Sequence, residues 1–371
     1  MKFLHTADLH LGRRLNDIPL LDDQKVMLKQ IVEIALDESV DAVILAGDIY
    51  DKSMPGADAM SAFDEFIGSM VESDIKVFMI SGNHDSSERI SYFSGIISRA
   101  GIYASDTFDG KLQKVPFGEV DVYMLPYIRP LQVRKFYLEE EIVTYEDAVR
   151  AVISNSEVNY NRPNILLCHQ FIVGAEISDS EEFAVGGLDA ISGSVFDGFD
   201  YVALGHLHKP QKVKRETMRY AGSPLKYSIS EANHKKSVTI IDMADEIQIK
   251  QVPLTAVHDV REIKGNLSDV MEMTYSEDYV RVVLTDEIVP PDARVTVSTL
   301  FPNMIALGVQ NSRTAGMEEF TVSDDINDKS KMDLFMDFFK VVNGGAEPEQ
   351  EQIEIMKTVL EEMEEDKHEA N

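Results

Sequence analysis

The sequence predicts an α/β protein with two β-sheets, followed by a small additional domain and C-terminal helices. In the first part of the chain, short apolar runs of strand length alternate with longer helix-like segments. From about Leu112 to Val252, shorter strand-like runs follow one another through turns, which indicates a second sheet. The last part has a helical pattern, so the fold class is α/β with appended modules.

The first part contains the strands and helices of an α/β sheet. Helix-like segments cover Leu21–Ser39 and Ala57–Ser73 and lie between the first three strands. This β-α-β-α-β order implies a sheet with helices on its faces. The apolar runs predicted as buried strands are Lys2–Thr6, Ala42–Ala46, Lys76–Ile80, Ile165–Cys168 and Tyr201–Leu204.

The middle of the chain supplies the predicted second sheet and a small module. Residues 255–325 form the module, in which Tyr279–Thr285 and Arg294–Thr299 alternate as strands on either side of Pro290-Pro291. The strands of the second sheet are predicted at Leu112–Val115, Val120–Leu125, Arg219–Ala221, Val238–Asp242 and Gln248–Val252.

Two helices are predicted at the C-terminal end. Lys329–Asn343 is strongly apolar, and Gly344-Gly345 ends it. Glu349–Asp366 carries a narrow apolar stripe on an acidic helix, which is compatible with packing on the same chain or against a partner helix. The predicted domains are therefore residues 1–254, 255–325 and 326–371.

Composition and charge limit the possible functions. The chain has 371 residues and one cysteine, Cys168, which excludes a disulfide framework and a cysteine-rich zinc site. Its formal net charge is −30, which argues against tight DNA binding through a broad basic face. A basic partner subunit could supply the missing affinity. No signal peptide or membrane-spanning stretch is visible in the sequence, so we expect a cytoplasmic protein.

Polar residues suited to metal binding follow the five strands of the first set. In α/β sheets, ligands bind at the carboxyl ends of the strands. Residues i and i+2 of an extended chain point the same way, so Asp8 and His10 share a direction, as do His206 and His208. The complete set is Asp8, His10, Asp48, Asn83, His84, Asp85, His169, His206 and His208.

This set of side chains predicts a two-metal centre. Imidazole, carboxylate and amide ligands together suit divalent manganese, iron or zinc. The ligands are too many for one ion, whereas two ions roughly 3.5–4 Å apart use this number. Asp48 is the natural bridging carboxylate between them.

The motifs resemble those of the calcineurin-like metallophosphoesterases. They occur in order as Asp8-x-His10, Gly47-Asp48, Gly82-Asn83-His84-Asp85, His169 and Gly205-His206-x-His208. Within that superfamily the chain resembles the SbcD nuclease subunits of bacteria. The first motif stands at the N-terminus, Tyr220-Ala221-Gly222-Ser223-Pro224 follows the last histidine pair, and a small module with helices comes after it.

The resemblance implies a two-sheet α/β/β/α sandwich with a small α+β capping domain and C-terminal helices. Manganese is the expected ion, and His84 would stabilise or protonate the leaving oxygen of the scissile phosphate. Asp85 would orient the His84 ring. One metal would be held by Asp8, His10, Asp48 and His208, and the other by Asp48, Asn83, His169 and His206.

The function that the resemblance implies is DNA cleavage at double-strand ends and hairpins, by exonuclease and endonuclease action, in DNA repair, recombination and replication. The implied partners are an SbcC-like coiled-coil ATPase, bound by the C-terminal helices, and a second copy of this chain. The sequence lacks a Gly-x-x-x-x-Gly-Lys-Ser/Thr phosphate loop, so we do not expect it to hydrolyse ATP itself.

Other residues near the motifs are open to two interpretations. Arg13, Arg14, Arg89 and Lys209 are candidates for contacts with DNA phosphates, and ordinary surface residues of the same types are equally compatible with the pattern. Ser223 is a candidate phosphate contact or part of a plain turn, and Asp51 lines the site or caps a loop. The remaining histidines, His5, His234, His258 and His368, are expected to be structural or superficial.

Two other functions share the same motifs. A stand-alone phosphodiesterase or phosphatase acting on small nucleotides or phosphoproteins would use the whole metal site, but it has no evident need for residues 255–371. A non-catalytic scaffold on the same fold would have lost ligands, whereas every ligand of the motifs is present here.

Overall fold

The computed structural model describes residues 1–181, 190–244 and 246–312, together with isolated residues between 332 and 356. By its internal contacts the chain divides into two units. The first unit contains every site residue predicted above. It comprises Met1–Glu262, Ser276–Arg281 and Asn303–Ile305, and the second unit comprises Ile263–Tyr275, Val282–Pro302 and Ala306–Asn371.

Six strands form the first sheet of the first unit. They are β1 (Lys2–Thr6), β4 (Ala42–Ala46), β5 (Lys76–Ile80), β6 (Ile102–Ala104), β13 (Ser237–Asp242) and β14 (Gln248–Pro253). Their order is β14-β13-β1-β4-β5-β6. The four strands from β1 to β6 are parallel, whereas β13 and β14 continue the sheet in antiparallel pairing.

Six further strands form the second sheet. They are β7 (Gln113–Phe117), β8 (Val120–Leu125), β9 (Asn164–His169), β10 (Tyr201–Gly205), β11 (Gln211–Val213) and β12 (Arg215–Tyr220). Their order is β11-β12-β10-β9-β8-β7, with the four inner strands parallel and both edge strands antiparallel. The parallel strands of each sheet therefore end at one common edge.

The grouping of strands by their position along the chain was wrong in two places. The strands β13 and β14 were assigned to the second sheet, but they extend the first sheet from β1. The strands β9 and β10 were counted with the first set, but they lie at the centre of the second sheet. Each strand was located correctly, but its partner depends on long-range packing of apolar side chains that look alike in sequence.

The two sheets face each other, and helices cover their outer faces. Buried side chains from both sheets, including Phe78 and Leu167, form one cluster between them. Helices α1 (Leu21–Asp37) and α2 (Ala57–Glu72) pack on the outer face of the first sheet. Helix α6 (Tyr145–Ser154) packs on the second sheet. This arrangement confirms the expected α/β/β/α sandwich.

Helix boundaries follow local signals. The helices α1 and α2 end within two residues of their predicted limits. Helix α6 was not predicted, although it begins with a capping box in which Thr144 accepts from the Asp147 N–H and Asp147 accepts from the Thr144 N–H. The short helices α3 (Ser87–Ile90), α4 (Ser94–Ile97) and α5 (Pro130–Val133) and the hairpin of β2 (Arg14–Leu15) and β3 (Ile18–Pro19) complete this part.

A three-stranded sheet follows in the chain, in the order β15-β16-β17. Its strands are β15 (Val260–Gly265), β16 (Tyr279–Leu284) and β17 (Met304–Val309), with helices α7 (Leu267–Met271) and α8 (Ala293–Ser298). The predicted strand at Arg294–Thr299 was wrong, because this segment is α8. Its buried residues Ala293 and Val297 are four apart, which is the spacing of one helical face.

Two expectations from the sequence are not tested by the described structure. The helices predicted over Lys329–Asn343 and Glu349–Asp366 fall outside the described residues, apart from isolated positions. The domain limits at 254/255 and 325/326 stay predictions. In the described part of the chain, no helix has both the length and the apolar character needed to cross a membrane.

Packing between the two sheets predicts a large effect of truncation at Leu167, whose side chain is fully buried at 0% exposure. We expect Leu167→Ala to lower the free energy of unfolding by about 2–5 kcal/mol, because it leaves a cavity in a packed core. Urea denaturation monitored by circular dichroism measures the change. The same substitution at Leu36, which is 49% exposed on α1, is the control and should cost far less. Equal effects at both positions would contradict this account of the core.

Candidate metal centre

The predicted site residues meet at the carboxyl edge of the two facing sheets. Strands β1, β4 and β5 of the first sheet lead into Asp8 and His10, into Asp48, and into Asn83 and His84. Strands β9 and β10 of the second sheet end at His169 and lead into His206 and His208. Two sheets therefore supply one cluster of side chains.

The backbone at this edge is held in an unusual conformation. Asp8, His10, Asp48 and His206 all have positive φ values, of 53°, 42°, 48° and 101°. Non-glycine residues adopt this region rarely, and such residues concentrate at functional sites. Gly82 is required by close approach, because a Cβ atom there would collide with the Asp48 carboxylate.

One group of donor atoms surrounds His10 and His208. The Nε2 atoms of these two rings lie 3.1 Å apart, and His10 Nε2 lies 3.6 Å from Asp48 Oδ2. Ligand atoms of Asp8, His10 and His208 all lie within 4.8 Å of one another. The Nδ1 atom of His10 is buried and has no hydrogen-bond partner among the residues that the structure describes.

A second group surrounds Asn83. Its side-chain oxygen lies 3.1 Å from His169 Nε2 and 3.0 Å from His206 Nδ1. His169 Nε2 also lies 3.4 Å from Asp48 Oδ2, so the Asp48 carboxylate touches both groups. The structure thus brings together all seven residues predicted to bind metal, with Asp48 in the shared position. Imidazoles that face each other beside buried carboxylates are a donor set that fits divalent cations.

Burial and mutual charge perturb the protonation of this cluster. Burial raises the pKa of Asp8 well above its usual range; the neighbouring His169 opposes the rise and the Asp48 charge adds to it. Burial opposes ionisation of Asp48 as well, but His169, His10 and His84 together hold its pKa below the usual range. Burial lowers the pKa of His206 to about 3 and that of His10 well below its usual value. Neutral imidazoles keep the lone pair that a metal ion needs.

His84 lies beside the first group of donors. Its ring is 4.8 Å from the His10 ring, between centroids, and its Nδ1 bonds to the Asp51 carbonyl at 3.0 Å. Asp51 therefore belongs to the site through its backbone. A ligand atom of His84 also comes within 4.8 Å of ligand atoms of His10 and Asp48. These distances therefore do not distinguish the role of His84 from that of the residues predicted to bind metal.

The Asp85 carboxylate contacts the backbone of two site loops, and its expected role in orienting the His84 ring stays a prediction. Its carboxylate accepts hydrogen bonds from the backbone N–H groups of Ile49, Tyr50 and Gly82, at 2.9–3.0 Å. It therefore ties the loop after β4 to the loop after β5, and the nearby His84 ring donates to the Asp51 carbonyl.

A buried network behind His208 was not predicted. Ser180 Oγ lies 2.7 Å from His208 Nδ1 and donates to Glu231 Oε1 at 2.5 Å. Lys236 donates to the other oxygen of Glu231 and to the His208 carbonyl, at 2.5 and 2.8 Å. Burial opposes ionisation of Glu231, but Lys236 and His208 hold its pKa well below the usual range.

The network gives the His208 ring one orientation. When the Ser180 hydroxyl donates to Glu231, it can only accept from His208 Nδ1, so the proton stays on Nδ1 and Nε2 keeps its lone pair. Gln24 acts similarly on the first motif, because its amide nitrogen donates to the carbonyls of Leu9 and His10. No local motif marks these residues, since each lies far in sequence from the ligand it holds.

The predicted DNA contacts have mixed surroundings. Arg13 bonds to Asp51 at 3.3 Å and to the Ser180 carbonyl at 2.9 Å, and Arg14 bonds to the Asp17 carbonyl. Lys209 pairs with Glu176. Arg89 lines a groove with Phe63 and Tyr92. Contact of these residues with DNA stays a prediction.

Ser223 has little freedom to reach a ligand. It is fully buried, and its hydroxyl donates to the Leu225 carbonyl and accepts from Lys236. Its backbone N–H donates to the His208 carbonyl at 3.2 Å. Among the other histidines, His5 is buried against the Tyr201 hydroxyl and His258 pairs with Asp23, as expected of structural residues.

Family models match both parts of the chain. Residues 1–210 match the family described as calcineurin-like phosphoesterase, and residues 256–343 match the Type 5 capsule protein repressor C-terminal domain. The fold and the cluster of donors therefore define a calcineurin-like metallophosphoesterase.

Two relatives narrow this class. The SbcD subunits of the nuclease SbcCD from Staphylococcus epidermidis and Staphylococcus saprophyticus are each 32% identical to this chain, over 317 and 316 residues. The matches cover 83% of this chain and 85% and 84% of the two relatives. The chain belongs to the SbcD family of nuclease subunits, and it is a metal-dependent phosphodiesterase. This confirms the resemblance seen in the sequence.

A solved structure also overlaps with this one. A dimetal phosphatase from Danio rerio covers 69% of this chain and 98% of its own, with a TM-score of 0.41 and 12% identity. That likeness is too low to bear on function.

The shared position of Asp48 predicts how metal affects stability. A divalent ion that binds only the folded chain stabilises it, by about 2.7 kcal/mol at a hundred times its dissociation constant. We expect manganese to raise the melting temperature of the wild type and to raise that of Asp48→Asn much less. Thermal denaturation with manganese or EDTA measures this. Asp106→Asn, at a surface hydrogen bond with Ser94, is the control and should respond like the wild type. An undiminished response of Asp48→Asn would contradict the shared role.

The network behind His208 predicts a loss of metal affinity in Ser180→Ala. Removing the hydroxyl takes away the nearer partner of His208 Nδ1 and leaves the 3.3 Å contact with Glu231 Oε1, so the ring is held less firmly. Loss of such a partner typically weakens metal binding by about 10–100-fold. Isothermal titration with manganese measures the affinity, and the ¹⁵N shifts of His208 report its tautomer. Ser94→Ala removes a surface hydroxyl as the matched control. Wild-type affinity and tautomer in Ser180→Ala would show that the Ser180 hydroxyl does not position His208.

Proposed function

We propose that this chain is a two-metal, manganese-dependent DNA nuclease, the catalytic subunit of an SbcCD-type complex. The observation that carries the proposal is the pair of donor groups that share the Asp48 carboxylate. The names of the two staphylococcal relatives support the nuclease assignment and the complex. Cleavage at double-strand ends and hairpins, with a role in DNA repair, belongs to the same proposal.

The donor set divides into two metal sites in this proposal. Asp8, His10, Asp48 and His208 would hold one ion, and Asp48, Asn83, His169 and His206 the other. The mixture of imidazole, carboxylate and amide suits manganese. Two bound ions supply activation of water and neutralisation of phosphate charge.

His84 acts on the leaving group. Its Nδ1–H donates to the Asp51 carbonyl at 3.0 Å, which fixes the ring and leaves Nε2 as the reactive nitrogen. The ring lines the open cleft beside the first donor group. A protonated His84 can therefore donate from Nε2 to the oxygen that departs when the phosphodiester bond breaks. The Asp85 carboxylate holds the loop that carries His84.

The cleft suits a phosphodiester substrate. It has a volume of about 720 Å³ and contains Arg13, Arg14 and Lys52 beside His84. Three basic side chains beside the donor cluster can bind the phosphates that flank the scissile one. The guanidinium of Arg13 also stacks over the Tyr227 ring at 5.2 Å, so its position is constrained.

The partners follow from the same proposal. With a net charge of −30, the isolated chain is expected to bind DNA weakly, and an SbcC-like ATPase would add affinity. The helices proposed to bind that ATPase lie outside the described residues. A homodimer is also proposed, and the exposed apolar side chains of Met60, Tyr92, Phe93 and Ile96 support it as a surface that another copy would cover.

The test is digestion of end-labelled linear duplex DNA with manganese by the full chain and by His84→Ala. We expect the variant to cleave about 10²–10⁴-fold more slowly, because it lacks the acid for the leaving oxygen, while its metal content stays unchanged. Manganese content is measured by mass spectrometry of the dialysed protein. His258→Ala, which removes a histidine paired with Asp23 away from the donor cluster, is the matched control.

Two results would count against the proposal. If His84→Ala digests DNA at the wild-type rate, the chemistry does not use this site. If the wild type hydrolyses bis-p-nitrophenyl phosphate but leaves DNA intact, the stand-alone phosphodiesterase becomes the better interpretation for the isolated chain.

A further inference from the structure

The segment Tyr127–Tyr137, here called the basic segment, carries a net positive charge in a chain that is acidic as a whole. It contains Arg129, Arg134 and Lys135 and no acidic residue, in a protein with 35 basic and 65 acidic side chains. Arg129, Arg134 and Lys135 are exposed, and so are the apolar side chains of Leu131, which lies between them, and Phe136, which follows Lys135. Basic side chains interleaved with aromatic ones are typical of surfaces that follow a polynucleotide strand.

The basic segment begins at the metal centre. The ring of Tyr127 lies 6.4 Å from the His206 ring and 6.3 Å from the His169 ring, between centroids. Its plane is inclined by only 29° to that of His206. The guanidinium of Arg129 lies 5.7 Å from the centre of the Tyr127 ring. Tyr127 therefore lies close both to Arg129 and to two proposed metal ligands.

Hydrogen bonds fix the start of the basic segment to two of the site loops. The Tyr127 N–H donates to the carbonyl of Ser81, which directly precedes the Gly82-Asn83-His84 motif. The side chain of Gln170, the residue after His169, donates to the carbonyl of Ile128 at 3.1 Å. The backbone that leads into Arg129 is therefore hydrogen-bonded to the loops of the proposed ligands Asn83 and His169. These bonds fix the position of Arg129 relative to both ligands.

The charges of the basic segment are available to a ligand. Within the described part of the chain, no ion pair joins Arg129, Arg134 or Lys135 to a carboxylate. The acidic run Glu139–Glu141 follows directly, but Glu140 accepts a hydrogen bond from Asn155 instead. By contrast, Lys209 and Lys212 pair with Glu176 and Glu216.

We propose that the basic segment guides a DNA strand to the metal centre, with Arg129 binding a phosphate near the scissile one and Lys135 binding another phosphate of the same strand. The proposal rests on the proposed nuclease function and deepens it, because it assigns a polynucleotide rather than a small phosphodiester to the site. Phosphate contacts of this kind position a strand without reading its sequence. Tyr127 is a positioning residue that holds the Arg129 guanidinium beside the site.

The experiment compares the full-length wild type with Arg129→Ala/Lys135→Ala. Anisotropy of a fluorescent single-stranded oligonucleotide, without manganese, gives affinity over a series of salt concentrations. Each phosphate contact on a single strand contributes about 0.7 to the slope of log affinity against log salt, so the double variant should lose about 1.4. A general loss of structure would not produce this specific change of slope.

A matched control and a conservative variant sharpen the comparison. Lys212→Ala/Lys250→Ala removes the same charge from exposed lysines that pair with Glu216 and Glu38, and it should keep the wild-type slope. Arg129→Lys keeps the charge but loses the guanidinium plane over Tyr127. It should therefore keep the slope and bind more weakly than the wild type.

Activity supplies the second readout. With manganese, the ratio of DNA digestion to bis-p-nitrophenyl phosphate hydrolysis should fall about tenfold in Arg129→Ala/Lys135→Ala and stay at the wild-type value in the lysine control. A double variant with the wild-type slope and ratio overturns the role of the basic segment while the nuclease assignment stands. A wild type that hydrolyses the small ester but neither binds nor cuts DNA overturns the proposed function, and this inference falls with it.

Discussion

The buried carboxylate of Asp48 shapes the surroundings of the whole site. An ionised carboxylate loses several kcal/mol of hydration when it leaves water, and it needs close partners to remain charged. The partners of Asp48 are His169 and His10 at 3.4 and 3.6 Å and the His84 N–H at 3.0 Å. The second buried carboxylate, Asp8, adds a like charge beside it. Such a cluster is costly without a cation and well suited to one, which is the electrostatic reason for a metal centre here.

Holding these side chains together requires a rigid and strained frame. Residues with positive φ cost roughly 1–3 kcal/mol each, and Asp8, His10, Asp48 and His206 all have it. The frame that enforces these angles consists of parallel strands ending at one edge and of hydrogen bonds between the loops. Asp85 is the clearest example, because its single carboxylate joins the loops after β4 and β5. The strained backbone of the site thus lowers the free energy of unfolding, and apolar packing between the two sheets offsets this cost.

Much of the fold and of the candidate site could be predicted from the sequence because the relevant signals are local. Apolar runs marked the strands, and glycine followed by aspartate or histidine marked their functional ends. The sheet partners of β13 and β14 could not be predicted, since pairing depends on packing across the chain. The backbone contacts of Asp85 and the network of Glu231 were not predicted for a similar reason: a carboxylate's hydrogen-bond partners depend on which distant groups the fold brings to it. The motif resemblance supplied the ligand sets, which spacing alone left open.

The net negative charge of the chain is compatible with a DNA substrate, because salt screens acidic residues that lie far from the bound phosphates. At 0.1 M salt, charges more than about 10 Å apart are largely screened, so remote acidic residues have little effect at a phosphate that contacts Arg129. At low salt the screening length grows to about 30 Å at 0.01 M, and the net charge of −30 then repels the whole polyanion. The isolated chain therefore lacks long-range attraction and must rely on short-range contacts at the cleft and the basic segment. The isolated chain is therefore expected to act best on DNA that a partner subunit already binds and holds near the site.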